Sequence, residues 1–166
     1  PTKEDFVWGF RVGFITFGAR GADRGLYEAL EAKCAGAIRG SISNASHPAQ
    51  SLLVTAYQNA SYSSEKAAKY ATLKARYNRI RKVLAEHPEY SEEFEPLPFN
   101  SGYFMCVDLK RTEAEPVRRR LLEAYSTGVI ATAGVIRIAF SSTPLGKLDT
   151  LFGNLYKACR DVANTR

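Results

Sequence analysis

Two basic residues near the start of the chain have types and spacing that suit covalent and anion-binding chemistry. Lys3 follows the hydroxyl residue Thr2. Arg11 stands eight positions after the lysine, between Gly9 and Gly13. A lysine amine attacks an aldehyde once it has lost its proton, and an arginine fork holds a phosphate through paired hydrogen bonds. Taken alone, these residues would equally suit a solvated lysine and a turn that leads into a strand.

A third basic residue lies inside an apolar run near the other end of the chain. Arg137 interrupts the sequence Val-Ile-Arg-Ile-Ala-Phe-Ser of residues 135–141. A buried guanidinium needs an anionic partner, because an unpaired charge in the interior costs free energy. From the residues alone, the simplest interpretation is an arginine at a strand edge or end, ion-paired to an acidic neighbour.

Arg39 is the fourth basic residue of interest, because it precedes Ser43-Asn44 by four positions. One interpretation is that it ends the preceding helix, where the helix dipole favours a positive charge. The other, that it binds an anion, depends on the resemblance described next. His47, His87 and Asp108 belong to no motif, and we interpret them as loop, helix-end or strand-end residues.

Taken in order along the chain, these markers resemble those of the class I and II aminotransferases, pyridoxal-phosphate enzymes of fold type I. In that family a lysine after a small hydroxyl residue binds the cofactor, and an arginine eight positions later, within Gly-x-Arg-x-Gly, holds the cofactor phosphate. An arginine in a strand before the last helix binds the substrate α-carboxylate. A glycine and an aromatic residue open a strand that lines the substrate entrance. The matching residues here are Lys3, Arg11, Arg137 and the segment 100–104.

The resemblance implies an enzyme that transfers an amino group between an amino acid and a 2-oxo acid. Its cofactor would be pyridoxal 5′-phosphate, and its usual assembly a homodimer. In aspartate aminotransferases the partner subunit supplies an arginine, four positions before Ser-Asn, that binds the substrate's second carboxylate. Arg39 matches that arginine and implies a dicarboxylic substrate. Because the chain begins two residues before Lys3, we expect a fragment that lacks useful activity by itself.

Composition excludes several classes of protein. With 166 residues, 45% hydrophobic and 24% charged, the chain has the make-up of one globular domain or two small lobes, and not of a collagen-like or disordered protein. Its apolar runs are far shorter than the roughly 20 residues of a membrane span. Three cysteines in unrelated contexts predict neither a disulfide framework nor a zinc site. We expect a cytoplasmic protein without metal or membrane partner.

The elements that must position the basic residues follow from hydrophobic spacing and turn chemistry. Predicted strands cover residues 10–18, 102–109, 129–132 and 135–141. Predicted helices cover residues 23–37, with Asp23 as the N-cap, 49–58 and 65–86, then a helix from a capping box at 112–115 to Tyr125, and a last helix opened by Thr143-Pro144. Residues 87–98 are predicted to be a linker.

These elements predict an α/β fold, and the resemblance divides it into three parts. Residues 1–62 would be the C-terminal part of the cofactor-binding large domain, residues 63–88 a long linking helix, and residues 89–166 the small α/β C-terminal domain.

The net charge of +6 leaves other functions open. Residues 66–82 contain seven basic and no acidic side chains, so this helix has either a solvated basic face or a stripe for nucleic acid. Aromatic residues are not interleaved on that face, so a solvated face is the favoured interpretation and nucleic-acid binding the less favoured one. Another fold type I enzyme that catalyses an elimination, an acyl transfer or a racemisation stays open, as does an aminotransferase-like domain that only senses a ligand.

Overall fold

The computed structural model describes residues 1–165, which form two compact units. The first unit comprises Pro1–Lys66, and the second begins at Ala67. The boundary falls within one long helix. No helix among the described residues is long and apolar enough to cross a membrane.

The first unit is built from helices and irregular chain. Helix α1 (Arg24–Ser41) begins after Asp23, whose side chain accepts a hydrogen bond from the Leu26 N–H at 2.9 Å. Helix α2 (His47–Gln58) begins after Ser46, which caps it through Ala49. Helix α3 (Tyr62–Glu86) starts in this unit. The helices predicted at 23–37 and 49–58 are therefore confirmed, each with a longer extent.

The strand predicted for residues 10–18 is wrong. The segment contains the end of a single 3-10 turn (Trp8–Phe10) and is otherwise irregular and largely exposed. A run of β-branched and aromatic residues forms a strand only where another strand satisfies its backbone groups. The sheet of the described chain lies entirely between residues 94 and 138, so none of its strands pairs with residues 10–18.

The second unit contains a four-stranded antiparallel sheet in the order β1-β2-β4-β3. Its strands are β1 (Phe94–Pro96), β2 (Met105–Leu109), β3 (Ile130–Thr132) and β4 (Val135–Ile138). Strands β3 and β4 form a hairpin through Ala133 and Gly134, both with positive φ, at 48° and 83°. Such angles belong to the tight hairpin turn that matches the twist of the strands.

Two helices and the second half of α3 bury one face of this sheet. Helix α4 (Ala114–Tyr125) and helix α5 (Leu148–Asn164) contribute apolar side chains to a core that also receives Ile80 and Val83 from α3. Ile136 and Ile138 of β4 point into it and are at most 1% exposed. Apolar burial of this kind is the main stabilising term of such a domain.

The prediction for the second unit is confirmed in outline, with four corrections. The strands predicted at 102–109 and 135–141 are shorter, Met105–Leu109 and Val135–Ile138, and a 3-10 turn (Phe140–Ser142) follows the second one. The linker predicted at 87–98 contains a 3-10 turn (Pro88–Glu92) and strand β1. The N-cap of α4 is Glu113, whose side chain makes no capping hydrogen bond to the first turn of the helix, so the capping box at 112–115 is wrong. The last helix begins at Leu148, after a 3-10 turn (Leu145–Lys147), because the backbone after Pro144 first makes one tighter turn.

Candidate functional site

The segment that carries Lys3 is held by its neighbour Asp5. The Asp5 side chain is only 5% exposed and accepts hydrogen bonds from the hydroxyls of Tyr57, at 2.8 Å, and Tyr62. The Lys66 ammonium lies 3.7 Å from the same carboxylate and donates to Glu4 at 2.8 Å. These contacts fix Glu4 and Asp5, the two residues that follow Lys3. The Lys3 side chain itself is exposed.

The charge state of Asp5 follows from these contacts. Burial works to raise the pKa of this carboxyl, but the hydrogen bonds from Tyr62 and Tyr57 and the charge of Lys66 outweigh it and leave the pKa below its ordinary value. Conversely, burial and the Asp5 carboxylate raise the pKa of Tyr57 to about 12. Around neutral pH the contacts that hold this segment therefore join the Asp5 carboxylate to the neutral phenols of Tyr57 and Tyr62.

Arg11 lies at the end of the 3-10 turn, in an unusual backbone conformation. Its φ of 55° is in the left-handed region, and its guanidinium donates one hydrogen bond, at 3.4 Å, to the Trp8 carbonyl. It makes no ion pair with any residue from 1 to 165. A Cβ built at Gly9 or Gly13 would meet no atom within 4 Å, so nothing in the described chain explains the two glycines by crowding.

Arg39 lies in the last turn of α1 and is exposed. Its Nη1 donates to the Ser43 hydroxyl at 2.7 Å, and Ser43 has a φ of 69°. The adjacent Asn44 side chain accepts from the Ala45 N–H at 2.9 Å. This arrangement suits the helix-end interpretation, since a cation there interacts favourably with the C-terminal end of the dipole. The guanidinium nevertheless remains open to solvent.

Arg137 lies on β4 with its side chain on the sheet face opposite the core. It pairs with Cys106 of β2 and with Ile130 of β3. Its guanidinium carbon lies 4.9 Å from the centre of the Phe104 ring. Its Nε is buried without a hydrogen-bond partner, and Arg137 joins no ion pair within the described chain. The acidic neighbour that the sequence suggested as one interpretation is therefore not there.

The segment before β2 is shaped by one side-chain turn. The Asn100 side chain accepts a hydrogen bond from the Gly102 N–H at 2.9 Å. A Cβ at Gly102 would lie 2.9 Å from the same oxygen, so a larger residue there would displace the Asn100 side chain from this turn. The Tyr103 carbonyl accepts from the Ser141 N–H at 3.2 Å, which ties the segment to the chain after β4. A cavity of about 550 Å³ lies beside it, lined by Leu97, Pro98, Phe99, Asn100, Phe104, Met105 and Cys106.

The predicted site residues divide between the two units. Lys3, Arg11 and Arg39 lie in the first unit, and Arg137 lies in the second. Sequence reasoning missed the contacts that Asp5 and Phe104 make. Asp5 gave no signal, because its partners are 52 and 57 residues away. Phe104 stood within the quoted segment 100–104, but only the register of β2 and β4 brings it to Arg137.

The basic helix is partly neutralised by its own neighbours. Arg79 donates to Asp149 through Nε at 2.9 Å and through a second nitrogen, and Arg76 donates to the Ser141 carbonyl. Lys82 lies 3.6 Å from Glu86, and Lys66 contacts Glu4 as described. Arg81 also contacts the ring and hydroxyl of Tyr77. Five of the seven basic groups thus have partners, three of them carboxylates, which does not favour a nucleic-acid stripe. Among residues 1–165 no group of three or more His, Cys, Asp or Glu side chains could hold a metal ion.

The chain is similar both to a family model and to a solved structure. The family model for aminotransferase class I and II matches residues 6–155. The crystal structure of an aminotransferase from Anaerococcus prevotii DSM 20548 superimposes with a TM-score of 0.67 at 23% identity, over 81% of this chain and 32% of that one. The chain thus spans about a third of the length of this structural relative. No curated protein matches the chain.

Proposed function

The chain belongs to the class I and II aminotransferases, pyridoxal-phosphate-dependent enzymes of fold type I, and from that premise we propose that the protein transfers an amino group between an amino acid and a 2-oxo acid. The observation that carries the proposal is the state of Arg137. Its guanidinium has a buried donor without an acceptor and no ion pair among the described residues, although a carboxylate is its natural partner. Amino acids and 2-oxo acids both supply that carboxylate.

The residues near the start of the chain fit the cofactor in chemistry. Lys3 offers an exposed amine for the aldehyde, on a segment fixed through Asp5. Arg11 offers an exposed guanidinium whose one hydrogen bond within the described residues goes to a backbone carbonyl, and the open side of Gly9 and Gly13 leaves room beside it for a phosphate. The bound cofactor supplies an electron sink for the carbanion formed at the substrate α-carbon.

Each of these residues then has one task. The Lys3 amine holds the cofactor and, when released, moves the proton at the α-carbon as a general base and acid. Arg11 binds the phosphate dianion through charge-assisted hydrogen bonds. Arg137 binds the α-carboxylate and so orients the α-hydrogen, because a bidentate contact fixes direction as well as distance. Lys3 lies outside residues 6–155, so its role rests on its own sequence context and exposure.

A dicarboxylic substrate is the finer proposal and depends on Arg39. Its guanidinium is exposed and donates a hydrogen bond to an uncharged hydroxyl, which does not neutralise its charge. The charge is thus available to the second carboxylate of a substrate. We further propose that the intact enzyme is a homodimer, as the family usually is. We place it in the cytoplasm, since the three cysteines are free. We expect little activity from this chain alone, because it spans about a third of its structural relative.

The test is a transamination assay on the full-length protein, saturated with pyridoxal phosphate and given a panel of L-amino acids with a 2-oxo acid acceptor. Arg137→Gln should lower kcat/KM about 100-fold, because a buried charge-assisted carboxylate contact is lost. Arg118→Gln changes an arginine on α4 that pairs with Glu115 and is the matched control. Unchanged kcat/KM in Arg137→Gln, or no transamination with any amino acid, would refute the proposal.

The dicarboxylate proposal has its own readout. Arg39→Gln should raise KM for dicarboxylic amino acids about tenfold, the loss of one exposed charged contact, and leave KM for monocarboxylic ones unchanged. An equal effect on both classes, or none on either, would mean that Arg39 serves only the end of α1.

A further inference from the structure

The Phe104 ring faces the Arg137 guanidinium. The resemblance places the segment 100–104 at the substrate entrance but gives this ring no role towards the arginine. We propose that Phe104 is the positioning residue of the carboxylate site, and that its ring holds the Arg137 guanidinium in the orientation that accepts a substrate carboxylate. The inference rests on the proposed function, since it assigns a role within the same site.

The first argument is the register of the sheet. Cys106 lies directly across from Arg137, and Phe104 precedes Cys106 by two residues. Because side chains alternate along a strand, Phe104, Cys106 and Arg137 share the face away from the core, and Phe104 is the diagonal neighbour of the arginine. Met105 and Val107, on the other face, are at most 2% exposed.

The Arg137 guanidinium lies close to the Phe104 ring. The guanidinium carbon lies 4.9 Å from the ring centre, within the roughly 6 Å range in which a ring face attracts a cation. Arg81, Arg120 and Arg160 lie farther from the rings they contact, at 5.6 to 5.9 Å. A ring over one flat face leaves the edge of the guanidinium, which carries its donors, for an anion.

The backbone on both sides of Phe104 is held in place. The carbonyl of Tyr103 accepts a hydrogen bond from Ser141, and β2 begins immediately after Phe104. The side chain is 40% exposed, so it borders solvent instead of filling the core. A large exposed aromatic that faces a guanidinium with an unsatisfied donor suits a ligand site better than a packing role.

The experiment separates the stacking from the ligand binding. In 15N-labelled protein, the Arg137 Nε–Hε resonance should show an upfield ring-current shift that is lost in Phe104→Leu and kept in Phe104→Tyr. Arg137→Gln assigns the resonance, because it removes it. This readout needs neither cofactor nor activity.

Titration with pyruvate then tests positioning. Pyruvate should shift the Arg137 Nε–Hε resonance to saturation, while its uncharged methyl ester should not. The pyruvate Kd should rise about two- to fivefold in Phe104→Leu, the loss of one exposed cation–ring contact, and return in Phe104→Tyr. Tyr70→Leu makes a similar change at an exposed position on α3 and should leave the Kd unchanged.

The outcomes distinguish the two proposals. Pyruvate binding that is equally tight in the wild type and in Phe104→Leu, or a resonance without a ring-current shift, overturns the role of Phe104 and leaves the proposed function standing. Absence of any pyruvate-dependent shift at Arg137 in the wild type overturns the carboxylate site, and the role of Phe104 with it.

Discussion

Among residues 1–165, Glu93 is the one charged residue that is buried as a whole, backbone and side chain together. It is 1% exposed, and its Oε1 accepts from the Arg111 guanidinium at 3.0 Å, while its Oε2 has no partner in the described chain. A buried carboxylate with a single counter-ion depends strongly on that counter-ion, because its solvation by water has been given up.

Arg111→Met should therefore destabilise the protein by about 2 to 3 kcal/mol, measured by urea unfolding. Lys110→Met, which removes the neighbouring cation from the exposed Glu95 at 3.7 Å, is the control and should cost less than about 0.5 kcal/mol. Adding Glu93→Gln to Arg111→Met should recover part of the loss. A similar small effect for Arg111→Met and Lys110→Met would contradict the account.

Cys159 shares the interior with Glu93 and differs chemically from the other two cysteines. Burial, reinforced by the charge of Glu93, raises the pKa of its thiol to about 12 from 9.0. Because the folded pKa is raised, the neutral thiol favours the folded state fully below about pH 9, and this contribution is lost as the pH rises towards 12. The reactive thiolate is thus suppressed in the native protein.

Iodoacetamide at pH 8.5 should label Cys34 and Cys106, which are partly exposed, and leave Cys159 unlabelled until urea unfolds the chain. Peptide mass spectrometry gives the extent at each position, and the unfolded sample is the control for reagent and peptide recovery. Labelling of Cys159 at the rate of Cys106 in native buffer would show that its environment is open.

At the scale of elements, the hairpin between β3 and β4 has one residue that does not suit its turn. Ala133 has a φ of 48° before Gly134, where a Cβ is unfavourable and asparagine is preferred. Ala133→Asn should therefore stabilise the protein by about 0.5 to 1 kcal/mol, and Ala133→Val should destabilise it by at least as much. Thermal unfolding of both variants measures the difference, and the opposite order would contradict the turn geometry.

Hydrophobic spacing and capping residues predicted the helices well. They predicted strands correctly only where another strand of the sheet pairs with the segment. Asp23 marked the start of α1, and the three- and four-residue spacing of Leu73, Tyr77 and Ile80 marked α3. The strand expected at 10–18 failed because its composition says nothing about a partner strand. Strand β1 was missed because it is three residues long and ends at Pro96, within a stretch that looks like a linker.

The same limit applies to the candidate site. Arg137 was predicted as an unusual arginine in an apolar strand, and the structure confirms the strand. The acidic partner that the residues alone suggested is absent from the described chain. Its stacking on Phe104 follows from the pairing of Cys106 with Arg137, which no local pattern contains. The anchoring of Asp5 by Tyr57 and Tyr62 was equally out of reach, because it joins distant segments.

At the scale of the whole molecule, the two units differ in how they are stabilised. The second unit has a contiguous apolar core drawn from α3, α4, α5 and the sheet, whereas the first unit buries only Ala49 and Leu53. Several large apolar side chains of the first unit are exposed, among them Trp8, Phe14, Ile15 and Ile42. Such a surface is typical of an interface, and Trp8, Phe14 and Ile15 lie within or next to the segment that carries Lys3 and Arg11.

The central claim is that this segment holds pyridoxal phosphate, and the most direct test is to trap it there. The protein is incubated with pyridoxal phosphate and reduced with borohydride, and the modified lysine is identified by peptide mass spectrometry. We predict selective modification of Lys3, which Arg11→Ala abolishes and Arg24→Ala, on the exposed start of α1, does not. Modification spread equally over Lys33, Lys69, Lys74 and other exposed lysines would contradict the account.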